Sequence, residues 1–521
     1  MAEKGKERRT PLLLVLPVVV IVAAGLWYYF AVYTPQYEAE RLRLVTLYTT
    51  ADPIELDPAL AYDTDSNRVI MNVFDRLVRY TQGTTEVEPA LAESWEIIDP
   101  RTYVFNLRSD ISFHDGSRFD ASSVKYTFDR VVELEGPTSY LFMVINRTEV
   151  VDEYTVKITL NYDFSPFLSV MAHPAASIVS EAAVEAKGEA FSESPVGTGA
   201  FKFESWSLGN ELVLVSNEDY YRGPPRLERI VFKSILEASA RKAALEKGEI
   251  DVVVGGGVLA VDLPELEDNP DLRVFESEST AVEYLGFNTF KPPLNDSRVR
   301  EAIALAIDYD KIVDEALGGR AERIGGPIPP SILGYKEFTL TQRDTARAAQ
   351  LLTEAGYPQG FEVSLTYNIE SLERRKIAEA IRNSLAEIGI TVRIVGLDWE
   401  SAINSYLSME HELMLNGWEP DYFDPDSYIS PQFHTYSAAP YGANIFGFSN
   451  PEADRLIEEG LNTTSTEQRA EIYRAVQDII VGERPCLFLV VPSEYDVIRY
   501  NVKNWVHMPP NLIEFYELYK Q

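Results

Sequence analysis

The side chains able to do covalent chemistry are few and stand far apart. Five histidines, His114, His173, His411, His434 and His507, are scattered along the chain. His411-Glu412 lacks the second histidine, one helical turn on, that a zinc hydrolase helix needs. No Gly-x-Ser-x-Gly nucleophile elbow occurs. The lone cysteine, Cys486, lies between Pro485 and Leu487 in an apolar run and reads as a buried structural thiol; it excludes an intramolecular disulfide and a cysteine zinc site. Gly197-Thr198-Gly199 lacks the lysine of a phosphate loop, so its glycines are expected to let the backbone approach another segment closely. Carboxylates are abundant, but a glycosidase pair is defined by a separation of roughly 5–10 Å in space, which sequence spacing does not give. The residue types favour recognition over bond-breaking.

The elements that must position any site start from size. At 521 residues the chain exceeds the roughly 250–300 residues that one core supports, so at least two lobes are expected. Asp and Glu number 81 against 47 Lys and Arg, a net charge of -34. Such a surface repels phosphate backbones, which argues against a nucleic-acid partner. At the N-terminus Lys4, Lys6, Arg8 and Arg9 precede a charge-free stretch from Pro11 to Tyr33 that ends in Trp27, Tyr28, Tyr29, Phe30 and Tyr33. As a helix that stretch could cross a hydrocarbon layer about 30 Å thick. The pattern predicts a cytoplasmic basic segment at roughly 1–10, a transmembrane anchor or signal at 11–33, a tether at 34–40, and a remainder outside the cell. No cysteine follows to accept a lipid.

Beyond this the chain alternates short β-rich runs with amphipathic helices, as an α/β fold requires. Ala240, Ala243 and Ala244 share a helical face that Gly248 can end, ahead of a buried run from Ile250 to Val254. Val299, Ala302, Ile303 and Ala306 follow the candidate caps Asp296 and Ser297. Ile377, Ile381, Leu385 and Ile388 form a third stripe, stopped by Gly389 and followed by alternation through Ile390, Val392 and Ile394. The first third is richer in strands, notably Tyr103 to Leu107 and Val156 to Leu160.

From Leu56-Asp57-Pro58-Ala59 onward the chain resembles the large solute-binding proteins of peptide, nickel and oligosaccharide importers, the family-5 extracellular binders. The resemblance recurs in order at Pro89-Ala90-Leu91-Ala92-Glu93-Ser94-Trp95, at Phe113-His114-Asp115-Gly116, and at Pro195-Val196-Gly197-Thr198-Gly199. It continues through Leu285-Gly286-Phe287-Asn288 and Gly417-Trp418-Glu419-Pro420-Asp421-Tyr422-Phe423-Asp424-Pro425. It implies a bilobal periplasmic-binding-protein-like fold of type II with an extra strand-rich subdomain. Lobe I would span roughly 41–66, 196–284 and 492–521, the inserted subdomain roughly 67–195, and lobe II roughly 285–491. The hinge crossings would lie near Tyr284 to Asn288 and near Val490 to Ser493.

The same resemblance implies a non-catalytic clamp that closes on a small guest and hands it to membrane permease subunits of an ABC transporter, as a monomer without cofactor or metal. Peptide is the expected solute, with an oligosaccharide, nickel or haem as alternatives and a secreted hydrolase or sensory receptor as rivals of another class. By resemblance Asp421 would hold the solute's α-ammonium group, with the alternative that it stabilises the turn at Asp424-Pro425-Asp426. Trp418 would flank it after Gly417. Tyr140, Gly256, Tyr284, Asn288, Thr198 and the early loop of Asp63, Asp65 and Ser66 would border the cleft. Relatives that bind dipeptides carry an arginine where this chain reads Thr366-Tyr367-Asn368, so the solute's carboxylate end has no assigned partner.

Overall fold

Helices begin and end where side chains can satisfy their free backbone groups. Asp296 accepts from the Arg298 amide and opens Ser297–Ala306. Ser371 accepts from the Arg374 amide and opens Leu372–Ala386. Ala238–Lys247 ends at Gly248, whose φ of +73° is the left-handed cap that glycine adopts without strain. The computed structural model describes residues 15–28, 31, 44–49, 52–507 and 513–521. Within the apolar segment 11–33, Val15–Tyr28 is helical, about 21 Å at the usual rise. Among the described residues no helix is long and apolar enough to cross a membrane. The expected basic segment and tether lie outside the described residues.

Twelve described strands form one hydrogen-bonded array. It is joined by a single long strand, Cys486–Arg499. The first half of that strand pairs with Val282–Phe287 and Ala321–Arg323. Its second half pairs with Leu272–Glu278 and Val252–Val253. The partners change at Pro492, whose carbonyl accepts from the Ser279 amide at 3.0 Å. Proline brings no N–H to a ladder, so a change of partner there leaves no donor unpaired. Of Tyr284 to Asn288, where one chain crossing is expected, Tyr284 to Gly286 lie inside a strand paired on both sides; the link between Leu272–Glu278 and Val282–Phe287 comes earlier, at 279–281.

Each half carries a core of its own. Leu285, Val299, Ile303, Leu365, Ile381, Leu385 and Leu415 pack on one side of the changeover, and Leu245, Val253, Leu263, Leu266 and Val497 on the other. A separate antiparallel sheet is built from Ala92–Asp99, Thr102–Leu107, Ile145–Asp152 and Thr155–Leu160. It buries Tyr103, Phe105, Val156 and Ile158, the inward residues of alternating strands. The Gly197-Thr198-Gly199 turn lies against the segment from Asn72 to Phe74. A Cβ at Gly197 would stand 2.1 Å from the Val73 carbonyl oxygen, and one at Gly199 2.5 Å from that of Asn72. His114 completes this junction, its Nε2 2.9 Å from the Gly199 carbonyl.

Candidate ligand-binding site

The strand Leu413–Trp418 runs between Val282–Phe287 and Glu362–Asn368 and delivers the next five residues into a cavity of about 240 Å³. Tyr62, Thr64 and Asn67 form one wall, with Tyr80, His173 and Pro174 beside them; Glu419, Pro420, Asp421, Tyr422 and Phe423 form the other. The two walls come from opposite ends of the sequence and are pinned where they meet. The Phe423 amide donates to the Tyr80 hydroxyl at 3.2 Å, and the two rings pack with centroids 4.8 Å apart.

The electrostatics are one-sided. Among the described residues neither Glu419 nor Asp421 has a lysine, arginine or histidine within ion-pair distance. Glu419 is exposed toward the cavity, yet the protein packed around its other sides, with the Glu494 and Asp421 carboxylates adding to it, pushes its carboxyl up to about 7. Burial also raises Asp421, and the Tyr140 hydroxyl, which faces it as a donor, pulls it partly back. His173 is neutral at this wall, held down to about 4 by burial and then by Arg76; its Nδ1 accepts from the Ala175 amide. Among the described residues no group of three or more metal-binding side chains comes together. The cavity therefore presents two carboxylates and several hydroxyls to whatever enters, the complement of a cationic, hydrogen-bonding group.

The nine residues expected from the sequence divide. Asp421 lines the cavity and Tyr140 faces its carboxylate. Gly417 and Trp418 lead the chain there but do not line it. The Trp418 indole N–H donates to the Ser427 carbonyl at 2.7 Å. Gly417 has Glu283 and Arg374 against its open face. Tyr284 is buried against Phe446, Asn288 donates to the Met409 and His411 carbonyls, and Thr198 bonds the buried Asp75. Gly256 has a φ of +71° and lies on another loop. Asp65 is buried with Arg68.

The early loop contributes through other residues than those expected. Asp63 caps Thr64–Val73, and the Ser66 hydroxyl accepts from the Ile54 and Glu55 amides. These polar groups hold the turn, which leaves Tyr62, Thr64 and Asn67 to face the cavity. Glu419 was also missed. The signal for it was present, since Glu419-Pro420-Asp421 puts two carboxylates either side of a proline with no basic residue between Gly417 and Pro425.

A two-lobed α/β protein joined by one shared strand, with an inter-segment cavity that offers binding groups, has the architecture of a solute-binding protein. Residues 86–440 match the model of the bacterial extracellular solute-binding proteins, family 5 Middle, and the chain belongs to that family. Heme-binding protein A of Haemophilus influenzae is 30% identical over 502 residues, covering 90% of this chain and 91% of that one. Glutathione-binding protein GsiB of Pectobacterium atrosepticum is 30% identical over 474 residues, covering 88% and 91%. Among solved structures, HbpA2 from Haemophilus parasuis superposes with a TM-score of 0.85 at 28% identity, over 92% of this chain and 100% of that one. The ABC transporter-associated periplasmic binding protein DppA from Helicobacter pylori, in complex with the peptide STSA, gives 0.76 at 29% identity, over 92% and 99%. The fold is that of the bilobal binding proteins.

Proposed function

We propose that this chain is the solute-capturing component of an ABC importer and that its solute is a peptide or peptide-like molecule with a free ammonium group. The observation that carries this reading is the pair Glu419 and Asp421, placed in a cavity without a cation. Two like-charged carboxylates on one cavity repel each other, and an entering ammonium group relieves that repulsion through charge-assisted hydrogen bonds. The peptide complex of the Helicobacter pylori relative and the glutathione-binding name of the Pectobacterium relative support the same solute class. About 240 Å³ lies below the roughly 300–1,000 Å³ of sites that enclose drug-sized ligands, which suits the amino end of a peptide better than a haem.

In this reading lobe I comprises roughly 41–66, 196–284 and 492–521, with a strand-rich insertion at roughly 67–195, and lobe II roughly 285–491. The changeover at Pro492 and the link at 279–281 act as the hinge, and the chain has no catalytic role. The apolar segment 11–33 keeps the protein at the outer face of the membrane. Release of the protein from washed membranes by salt alone would remove the anchor from this account.

The test is calorimetric titration of the purified protein with a short peptide, the same peptide N-acetylated, and glutathione. Binding of the free amine and of glutathione with loss of binding on acetylation is the expected result. Equal affinity for the acetylated peptide would overturn the ammonium assignment.

A further inference from the structure

Away from the Glu419 and Asp421 cavity, a partly open recess of about 110 Å³ lies behind the first residues of the long strand. It is lined by Arg323, Arg484, Tyr309 and the segment from Thr339 to Thr341, with Cys486, Leu487 and Phe488 on the strand side. In a chain with a net charge of -34, two arginines lining one small recess call for an explanation. Arg323 lies over the Tyr309 ring at 4.5 Å and donates to the Thr341 carbonyl at 2.8 Å. Its only carboxylate among the described residues is Asp310, 3.4 Å away and itself largely exposed, and its Nε–H is buried without an acceptor. Arg484 makes no side-chain hydrogen bond or ion pair to any described residue. Its backbone sits at φ 52° and ψ 58°, a left-handed conformation that strains a non-glycine residue.

Thr466–Glu483 ends at this point, and a cation there is favourable to the helix carbonyls. That need is already met: Arg300 donates to the Glu483 and Arg484 carbonyls at 2.7 and 2.8 Å. Arg484 is thus surplus to the helix end, and like-charged guanidinium groups sharing a cavity repel one another unless an anion lies between them.

We infer that this cavity binds a small free oxyanion, phosphate or sulfate, between Arg323 and Arg484. The space of about 110 Å³ is small and accommodates one tetrahedral anion. Planar guanidinium groups donate in pairs to such oxygens, and the Arg323 strand pairs directly with Val490 of the long strand, so a bound anion fastens lobe II beside the changeover at Pro492.

The experiment is thermal unfolding of the full chain in sodium phosphate, sodium sulfate and sodium chloride at matched ionic strength, for the native protein, R484Q, R484G and D421N. Excluded salts stabilise proteins generally, so the difference between variants decides. A saturable rise of about 1–3 °C in phosphate or sulfate over chloride is expected for the native protein and D421N. R484Q and R484G lose that rise while their melting points in chloride stay at or above the native value; glycine fits the left-handed backbone, which keeps one variant well folded. The same rise in both Arg484 variants, or no rise over chloride in the native protein, would overturn the site.

Discussion

Arg469 holds Asp424 through two hydrogen bonds of 2.7 Å, with both side chains buried. Asp424 in turn caps Pro425–Phe433 by accepting from the Asp426 amide. The structural duty of this turn therefore belongs to Asp424, and the Asp421 carboxylate, three residues earlier, is left facing the cavity and Tyr140.

That contrast makes opposite predictions for two single-atom-scale changes. Asp424→Asn leaves the Arg469 charge buried without its partner and should cost about 3–5 kcal/mol of stability. Asp421→Asn removes a carboxylate that has no cation and should leave the ligand-free melting point unchanged or slightly raised, while weakening peptide binding about ten- to a hundredfold. Denaturant unfolding with and without peptide measures both, and a large ligand-free loss in D421N would make Asp421 structural.

Solute binding should depend on pH through Glu419. The surrounding protein and then the neighbouring carboxylates push its carboxyl to about 7, so below that pH the empty protein holds a proton there that an ammonium group must displace. Affinity for a peptide should rise between about pH 5.5 and 8, with proton release on binding near neutrality. E419Q should flatten that profile. Without ligand the sign runs the other way: the folded protein binds the extra proton, so the Glu419 contribution to stability is present below the usual carboxylate range and is lost as pH climbs through 7. Calorimetry in buffers of different ionisation enthalpy detects the released proton.

His507 acts in a separate pH window. Its Nδ1 stands 2.8 Å from Asp496 and its Nε2 3.3 Å from Glu494. Burial alone would lower it, but the Asp496 and Glu494 interactions outweigh that and raise it to about 9. A histidine raised on folding contributes stability in full below its ordinary value of 6.5 and loses it as pH rises through 9. The difference corresponds to roughly 3 kcal/mol, and H507Q should abolish most of this alkaline fall in a pH series of unfolding curves.

Gly417 is a packing position. A Cβ there would lie 2.4 Å from Glu283 Oε1 and 2.9 Å from Arg374 Nη2, and the Arg374 guanidinium donates to the Glu283 carboxylate through hydrogen bonds of 2.8 and 2.9 Å. Gly417→Ala should push the pair apart and cost about 1–3 kcal/mol. A double variant that also carries Glu283→Ala should lose much less than the sum of the two single changes, since both act on one contact.

Local pattern was sufficient for the elements. The stripe from Ile377 to Leu385 is buried within Leu372–Ala386, Gly248 and Gly389 have positive φ where helices stop, and Tyr103 and Phe105 point into the core. These follow from periods of 3.6 and 2 and from backbone sterics, which neighbouring residues alone decide. The charge balance and the Gly-Trp to Asp-Pro segment were likewise legible before any coordinates. The tertiary structure decided which polar groups are spent and which are free. Asp63 and Ser66 went to a turn while Tyr62, Thr64 and Asn67 took the wall, Asp424 gained Arg469 from 45 positions away, and Arg374 was claimed by Glu283. The physical reason is that a carboxylate's role depends on the nearest opposite charge in space, and chain crossings rather than sequence spacing determine which charge that is.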